Sequence, residues 1–330
     1  MMKRVIKCAA FVLTVILVFS LLSFLLKQHY DQMQVGKMNY HFAGIYGEKP
    51  NSIDVLLIGD SECYSGFSPM EMWETQGFTA YGAGTLAQNL QETYEYLKDI
   101  LRHQSPSVVV LETDSIFSIF TEVPLDNILK SEMRMAFPGI ADHDSWRTLF
   151  SRDTGARYVD DSKGYYHVYE AQTPKEHHIA EFMAPDDRYA PMDAKRQWIL
   201  GRIRDLCEVQ GIQLVLVSTP STKNWNMQKH NTVAQWSEQW KIPYLDLNLL
   251  TEEMGFDWTR HTQDGGDHLN HAGAELVSRY LAGWLTEEFD LKDHRQDLEF
   301  VSWQDSLEIY RDRVENRVVN KEPMYRKTGE

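Results

Sequence analysis

Two short stretches of this sequence carry residue types that can do chemistry together. Gly59-Asp60-Ser61 follows directly on the apolar run Ile53–Ile58, and Asp264-Gly265-Gly266-Asp267-His268-Leu269-Asn270-His271 forms a Gly-rich polar stretch near the end of the chain. A serine hydroxyl becomes a nucleophile when a base within hydrogen-bond reach takes its proton. That base in turn needs a carboxylate to hold its ring in the right tautomer. Ser61, His268 and a neighbouring aspartate supply those three types, and the chemistry they suit is attack on an ester carbonyl. Each piece has a plain alternative. Gly-Asp-Ser is also what a turn with a helix cap looks like, and a lone loop histidine often does no more than cap the next helix.

Elements that could bring the two stretches together are visible in the hydrophobic pattern. Ile53–Ile58, Val108–Leu111, Ile212–Val217 and Ile242–Leu247 are short, nearly continuous apolar runs, as strands buried on both faces of a parallel sheet would be. Leu90–Leu101, Ala194–Val209, Trp225–Trp240 and Ala272–Phe289 repeat apolar residues at helical spacing between and after them. Alternating strands and helices predict an α/β fold, a doubly wound parallel sheet flanked by helices in three layers. In such sheets the ligand site lies beyond the carboxyl ends of the strands, where Ser61 would stand and where the loop of His268 can reach it.

The remaining chain divides by composition. Cys8–Leu26 is uncharged and apolar over close to the roughly 20 residues that a bilayer-crossing helix needs. Lys3, Arg4 and Lys7 precede it, which places the N-terminus in the cytoplasm and the rest outside. No small-x-small cleavage site follows Leu26, so residues 1–27 read as a stub and an uncleaved anchor. Residues 28–52 read as a stalk and 53–289 as the α/β domain. An insertion at about 117–191 is a candidate cap, and 290–330 a charged extension ending in a peripheral helix and a frayed tail. A net charge of −15 argues against nucleic acid, and three cysteines, one of them in the apolar run, are too few for a disulfide framework or the usual zinc cluster.

With these residues in view, the chain resembles the SGNH, or GDSL-like, hydrolase superfamily over roughly Ile53–Phe289. Gly59-Asp60-Ser61 is similar to its first block, with Glu62 where leucine is usual, and His268-Leu269-Asn270 with Gly273 is similar to its last. The resemblance implies Ser61 as nucleophile and His268 as base. Gly265 stands three residues before His268, where the family has its aspartate, so the orienting carboxylate falls to Asp264, with Asp267 the alternative. His271 is a less suitable base. Gly84, in Tyr81-Gly82-Ala83-Gly84-Thr85, resembles the glycine whose N–H helps to hold the oxyanion, and equally reads as a turn glycine needing positive φ. The family's asparagine after the second strand is missing, and Asp114 occupies that stretch, where an ionised carboxylate would oppose an oxyanion.

Asn224, after the third strand, is a second candidate for the oxyanion or the substrate, or else the N-cap of the next helix. Trp225 and Tyr165-Tyr166 suit either sugar stacking or packing. Cys63 reads as packing beneath the turn. No cofactor is implied, and no ligand spacing around His177, His178 or His261 argues for a metal. With an anchor, the resemblance is to extracytoplasmic proteins that acylate cell-wall polymers and exopolysaccharides. It implies a serine esterase or O-acyltransferase acting on O-acyl, notably O-acetyl, groups of envelope or secreted glycans, alongside a multi-span membrane acyltransferase. A non-catalytic glycan-binding or assembly subunit is the alternative, favoured by Asp114 and by the shifted aspartate. Proximity of Ser61, His268 and an aspartate separates the two.

Overall fold

The computed structural model of the chain describes residues 2–33, 40–117 and 157–328. Its centre is a five-stranded, wholly parallel sheet of β1 (Val55–Gly59), β2 (Ala80–Gly84), β3 (Val108–Glu112), β5 (Gln213–Ser218) and β6 (Tyr244–Asp246), in the order β2-β1-β3-β5-β6. A separate antiparallel pair joins β4 (Arg157–Asp160) to β7 (Tyr325–Thr328). Every residue of β1, β2 and β3 is buried, because helices cover both faces of the sheet.

Alternate strand residues feed two cores, as the two-residue period of a strand requires. Leu56, Ile58, Val109, Leu111, Leu214 and Leu216 pack against α4 (Leu90–Ile100), α7 (Ala194–Gln210) and α8 (Met227–Trp240). Val55, Leu57, Val108, Val110, Val215 and Val217 pack against α10 (His271–Glu288) together with Phe67 and Met72. Short helices complete the chain order: α2 (Ser61–Gly66), α3 (Pro69–Gln76), α5 (Asp114–Phe117), α6 (Glu176–Glu181) and α9 (Thr251–Met254).

Three readings of the sequence need correction. Ala80–Gly84 is a strand rather than a loop; its two glycines and two alanines leave Tyr81 alone to carry a strand signal that depends on bulky residues. The ordered fold begins before Ile53, since Phe42 and Ile45 on a 3-10 turn at Tyr40–Gly47 are fully buried. The charged C-terminal stretch is integral too. Trp303, Leu307 and Tyr310 of α11 (Val301–Glu315) enter the core, and β7 closes the small sheet. Lys163 fixes this corner: its buried Nζ lies 2.8 Å from Glu48 Oε1 and 3.1 Å from Ser306 Oγ, and sits over the Trp303 ring. Much of the expected insertion at 117–191 lies outside the described residues. The N-terminal helix α1 (Met2–Met33) contains a stretch, Lys3–Leu22, long and apolar enough to cross a membrane, with a mean hydropathy of 2.6 and none of it buried against the rest of the chain.

Candidate active site

Ser61 opens α2 immediately beyond the carboxyl end of β1, with Asp60 as the N-cap accepting from Glu62 N at 3.0 Å. The loop before α10 reaches it from across the sheet's carboxyl edge. His268 Nε2 lies 2.9 Å from Ser61 Oγ, and His268 Nδ1 lies 2.8 Å from Asp264 Oδ2. Asp264 Oδ1 also accepts from the His268 backbone N at 3.0 Å, so one carboxylate holds both the ring and the main chain of the histidine.

The loop's shape explains why the aspartate stands four residues back. Asp264, Gly265 and Gly266 have φ of 47, 73 and 83°, three successive left-handed residues that coil the chain so that residue 264 faces residue 268. Gln263 N donates to His268 O at 2.9 Å and closes the coil. From the neighbouring loop, Thr222 N donates to Gly266 O, Ser221 Oγ to Asp267 O and Lys223 Nζ to Asp264 O. A side chain at Gly266 would strike Thr222 Oγ1 at 2.3 Å, so the two loops are fitted together. Asp267 makes no hydrogen bond to the His268 ring; its Oδ1 accepts from Asn224 Nδ2 at 2.6 Å.

Several sequence-derived assignments change. Asn224 neither points free into the site nor caps α8, whose N-cap is Asn226. Its amide bridges Glu62 Oε1 at 2.9 Å and Asp267 at 2.6 Å, and both carboxylates compete with any oxyanion for its N–H groups. Gly84 ends β2 opposite Gly59, and its φ is not positive. It is glycine because an added Cβ would lie 2.8 Å from Asp60 O and 3.2 Å from Tyr64 N, so it lets β2 approach the turn that carries Ser61. Asp114 is paired with Lys229 at 2.9 Å. Tyr165, Tyr166 and Trp225 are buried and offer no face to a sugar. His271 is buried as well, with Nδ1 3.2 Å from Tyr165 OH. Cys63 is buried in the core, and burial, with Glu112 and Asp60 nearby, pushes its thiol well above the ordinary range, which suits packing and not nucleophilic attack.

The electrostatics are dominated by carboxylates gathered at the sheet's carboxyl edge. Burial, then the charge of Asp114, raises Asp60 to about 7. Burial, then Asp60, lifts Glu112 well above the usual range; its oxygens accept from Asp114 N at 2.9 Å and Thr219 Oγ1 at 3.2 Å. Glu62 is 1% exposed, and burial raises it well above its ordinary value. Its Oε2 is buried with no hydrogen-bond partner among the described residues. Burial opposes charging of His268, yet Glu62, Asp264 and Asp267 outweigh it and push the ring up to about 10. Both groups therefore hold a proton more tightly than usual, Glu62 because it is buried and His268 because of the carboxylates around it. With its ring neutral, His268 Nε2 is a base facing Ser61; with the ring protonated, Nε2 has no lone pair to accept with.

The sequence singled out Glu62 only as a departure from leucine. Its place next to the serine was the one available sign that it would face the histidine. Lys229 gave no sequence signal beyond charge, and Asp267, the alternative orienting carboxylate, is held by Asn224 instead of the ring.

No family model matches the chain, and no curated protein does. Solved structures do. A psychrotrophic esterase from Pseudoalteromonas sp. is similar at 12% identity and a TM-score of 0.37, over 72% of this chain and 99% of that one. A GDSL-like lipase from Bacteroides thetaiotaomicron is similar at 11% identity and 0.35, over 71% and 88%. A carbohydrate acetylesterase from Sinorhizobium meliloti is similar at 11% identity and 0.34, over 71% and 99%. What the chain can do therefore rests on its own geometry.

Proposed function

We propose that the chain is a serine-dependent acyl-ester hydrolase or O-acyltransferase of the SGNH type, held at a membrane by α1. The observation that carries this reading is the continuous contact from Ser61 Oγ through His268 to Asp264, at 2.9 and 2.8 Å. A non-catalytic subunit has no use for a histidine locked by a carboxylate on one side and aimed at a serine on the other.

In the reaction His268 Nε2 takes the Ser61 proton as Oγ attacks the ester carbonyl, and Asp264 stabilises the imidazolium that forms. The alkoxide leaving group takes that proton, and an acyl-Ser61 intermediate remains. Water or a hydroxyl acceptor, deprotonated by the same ring, then releases the acyl group. The Ser61 N–H in the first turn of α2 has no helical acceptor, and with the Gly84 N–H it is our choice for the oxyanion donors. Asn224 is withdrawn, because two carboxylates hold its amide.

We assign the substrate class as O-acyl, notably O-acetyl, groups on envelope or extracellular glycans. The apolar run Cys8–Leu26, preceded by Lys3, Arg4 and Lys7 within a helix long enough to cross a membrane, supports an extracytoplasmic domain on a single-pass anchor, with a multi-span acyltransferase as its partner. The test uses the full-length chain in detergent, with an aryl acetate and a fluorophosphonate probe. Wild type cleaves the ester and is labelled, whereas Ser61→Ala does neither. Wild type as inert as Ser61→Ala towards both reagents, and towards acetylated glycan, sinks the hydrolase reading.

A further inference from the structure

We propose that Glu62, Asp267 and His268 form a binding site for a divalent transition-metal cation of the zinc type, and that occupation of this site switches Ser61 off. The binding claim needs no reading of catalysis, whereas the switching claim rests on the acyl-transfer function proposed above.

One ligand atom from each of the three residues lies within 4.8 Å of the others, a span that modest side-chain movement closes around a single cation. One imidazole nitrogen and two carboxylates are a donor set that zinc and its neighbours accept, and the two carboxylates neutralise a divalent charge. The independent sign of a missing ligand is Glu62 Oε2, an almost fully enclosed carboxylate oxygen without a hydrogen-bond donor among the described residues. An acceptor left empty in such a place costs free energy unless something supplies a positive partner.

The surroundings also suit a metal. Asp264 at 2.8 Å from His268 Nδ1 leaves Nε2 as the free donor and fixes the ring, which is the carboxylate–histidine arrangement that commonly stands behind a metal-bound imidazole. Asn224 holds Glu62 and Asp267 side by side through one amide nitrogen. Asp267 is partly exposed and gives the cation a way in, with Lys223 Nζ, 3.9 Å from its Oδ2, the positive group that the cation displaces. The consequence for Ser61 follows from electron counting. The Nε2 lone pair that would accept the Ser61 proton is donated to the cation instead, so no base remains while the site is filled.

The test is a titration of the full-length protein in detergent with Co2+, read by its visible ligand-field absorption, and displacement of that signal by Zn2+. Wild type binds a single chelator-removable cation. Glu62→Gln and Asp267→Asn each weaken Co2+ by more than the roughly 10–100-fold that loss of a partner behind a ligand costs. Ser61→Ala binds at least as tightly as wild type, because Ser61 gives no ligand. Thermal melting checks that Glu62→Gln is folded; if it is not, the more exposed Asp267→Asn decides. Absence of a saturable Co2+ band in wild type, or unchanged binding in the folded variants, overturns the site. Aryl-acetate cleavage is suppressed by Zn2+ and restored by a chelator, and cleavage undiminished at saturating Zn2+ refutes the switch. If neither wild type nor Ser61→Ala cleaves any ester, the catalytic reading and the switch fail together while the Co2+ titration still decides the site.

Discussion

Replacing Asp264 by Asn isolates the contact on which the proposed mechanism depends. Asn is the right probe because residue 264 has φ 47°, a left-handed conformation that Asn adopts at less cost than Ala, so the loop keeps its coil. Asp264 offers two acceptor oxygens, one to His268 N and one to Nδ1. The amide of Asn offers one. If it serves the backbone N–H, its NH2 faces Nδ1 and forces the ring proton onto Nε2, the tautomer that cannot accept from Ser61. If it serves the ring, the main chain of His268 loses its tether.

Either way the imidazolium loses a charge-assisted hydrogen bond worth about 1.5–3 kcal/mol, or about 10–100-fold in rate. The wrong tautomer adds to this, and the 45% exposure of the Asp264 side chain, which lets water compensate, subtracts. The expected result is a fall of about 10²–10³ in kcat for aryl-acetate cleavage with KM little changed, since the contact acts as charge develops on the ring. Asp267→Asn, which removes no hydrogen bond from that ring, loses about tenfold or less. Steady-state kinetics and the rate of fluorophosphonate labelling both read the effect. Equal losses in the two variants, or an Asp264→Asn enzyme that labels and turns over like wild type, would refute the assignment of Asp264.

Other outcomes follow from the same structure. Gly84→Ala drives a Cβ to 2.8 Å from Asp60 O, so it should cut esterase activity far more than it lowers the melting temperature; an unchanged kcat would show that β2 does not position the Ser61 turn. Lys163→Ala leaves Glu48 buried without its cation and should cost about 3–5 kcal/mol in denaturant unfolding, whereas the double change Glu48→Gln, Lys163→Met should recover most of it. His271 is held down to about 4, by burial first and then by Arg279 and Arg317, so its folded pKa lies below the unfolded value of 6.5. Below that value the unfolded chain takes up a proton that the folded chain refuses, and stability falls as pH drops from about 6.5 towards 4, by at most about 1.4 kcal/mol per pH unit. Asp160, raised to about 6 by burial, titrates with the opposite sign in this window, so the informative quantity is the difference between wild type and His271→Gln. Parallel unfolding curves for the two across that range would contradict a buried neutral His271.

The parallel sheet was legible because β1, β3 and β5 are apolar on both faces and bounded by turns, and because α4 and α10 repeat leucines at helical spacing. The same rule hid β2, where Gly84 leaves room for the Ser61 turn and Gly82 lies against Gly164. Compositional rules also misread the C-terminal stretch. Its charges lie on the outer side of α11 or pair with partners far away in sequence, as Arg326 does with Asp161 at 2.7 Å, and a few aromatic residues carry the packing.

At the site, the serine and the histidine were visible because their types and order are constrained by the chemistry. Asp264 was visible only as a preference, resting on the freedom of Gly265 and Gly266. Glu62 and Asp114 stood out one at a time, but the gathering of carboxylates around the pair was not legible, for a physical reason. Asp60, Glu62, Glu112 and Asp114 come from the ends of two strands, and in the sequence each is an ordinary polar residue of a loop or cap. Only when β1 and β3 pair do four acids meet at one edge of the sheet, where burial prevents all of them from ionising together. The protonation state of His268 is therefore set by the sheet as much as by its own loop. An account of this site that stopped at Ser61, His268 and Asp264 would leave out Glu62, the first of the neighbouring charges that hold a proton on the base.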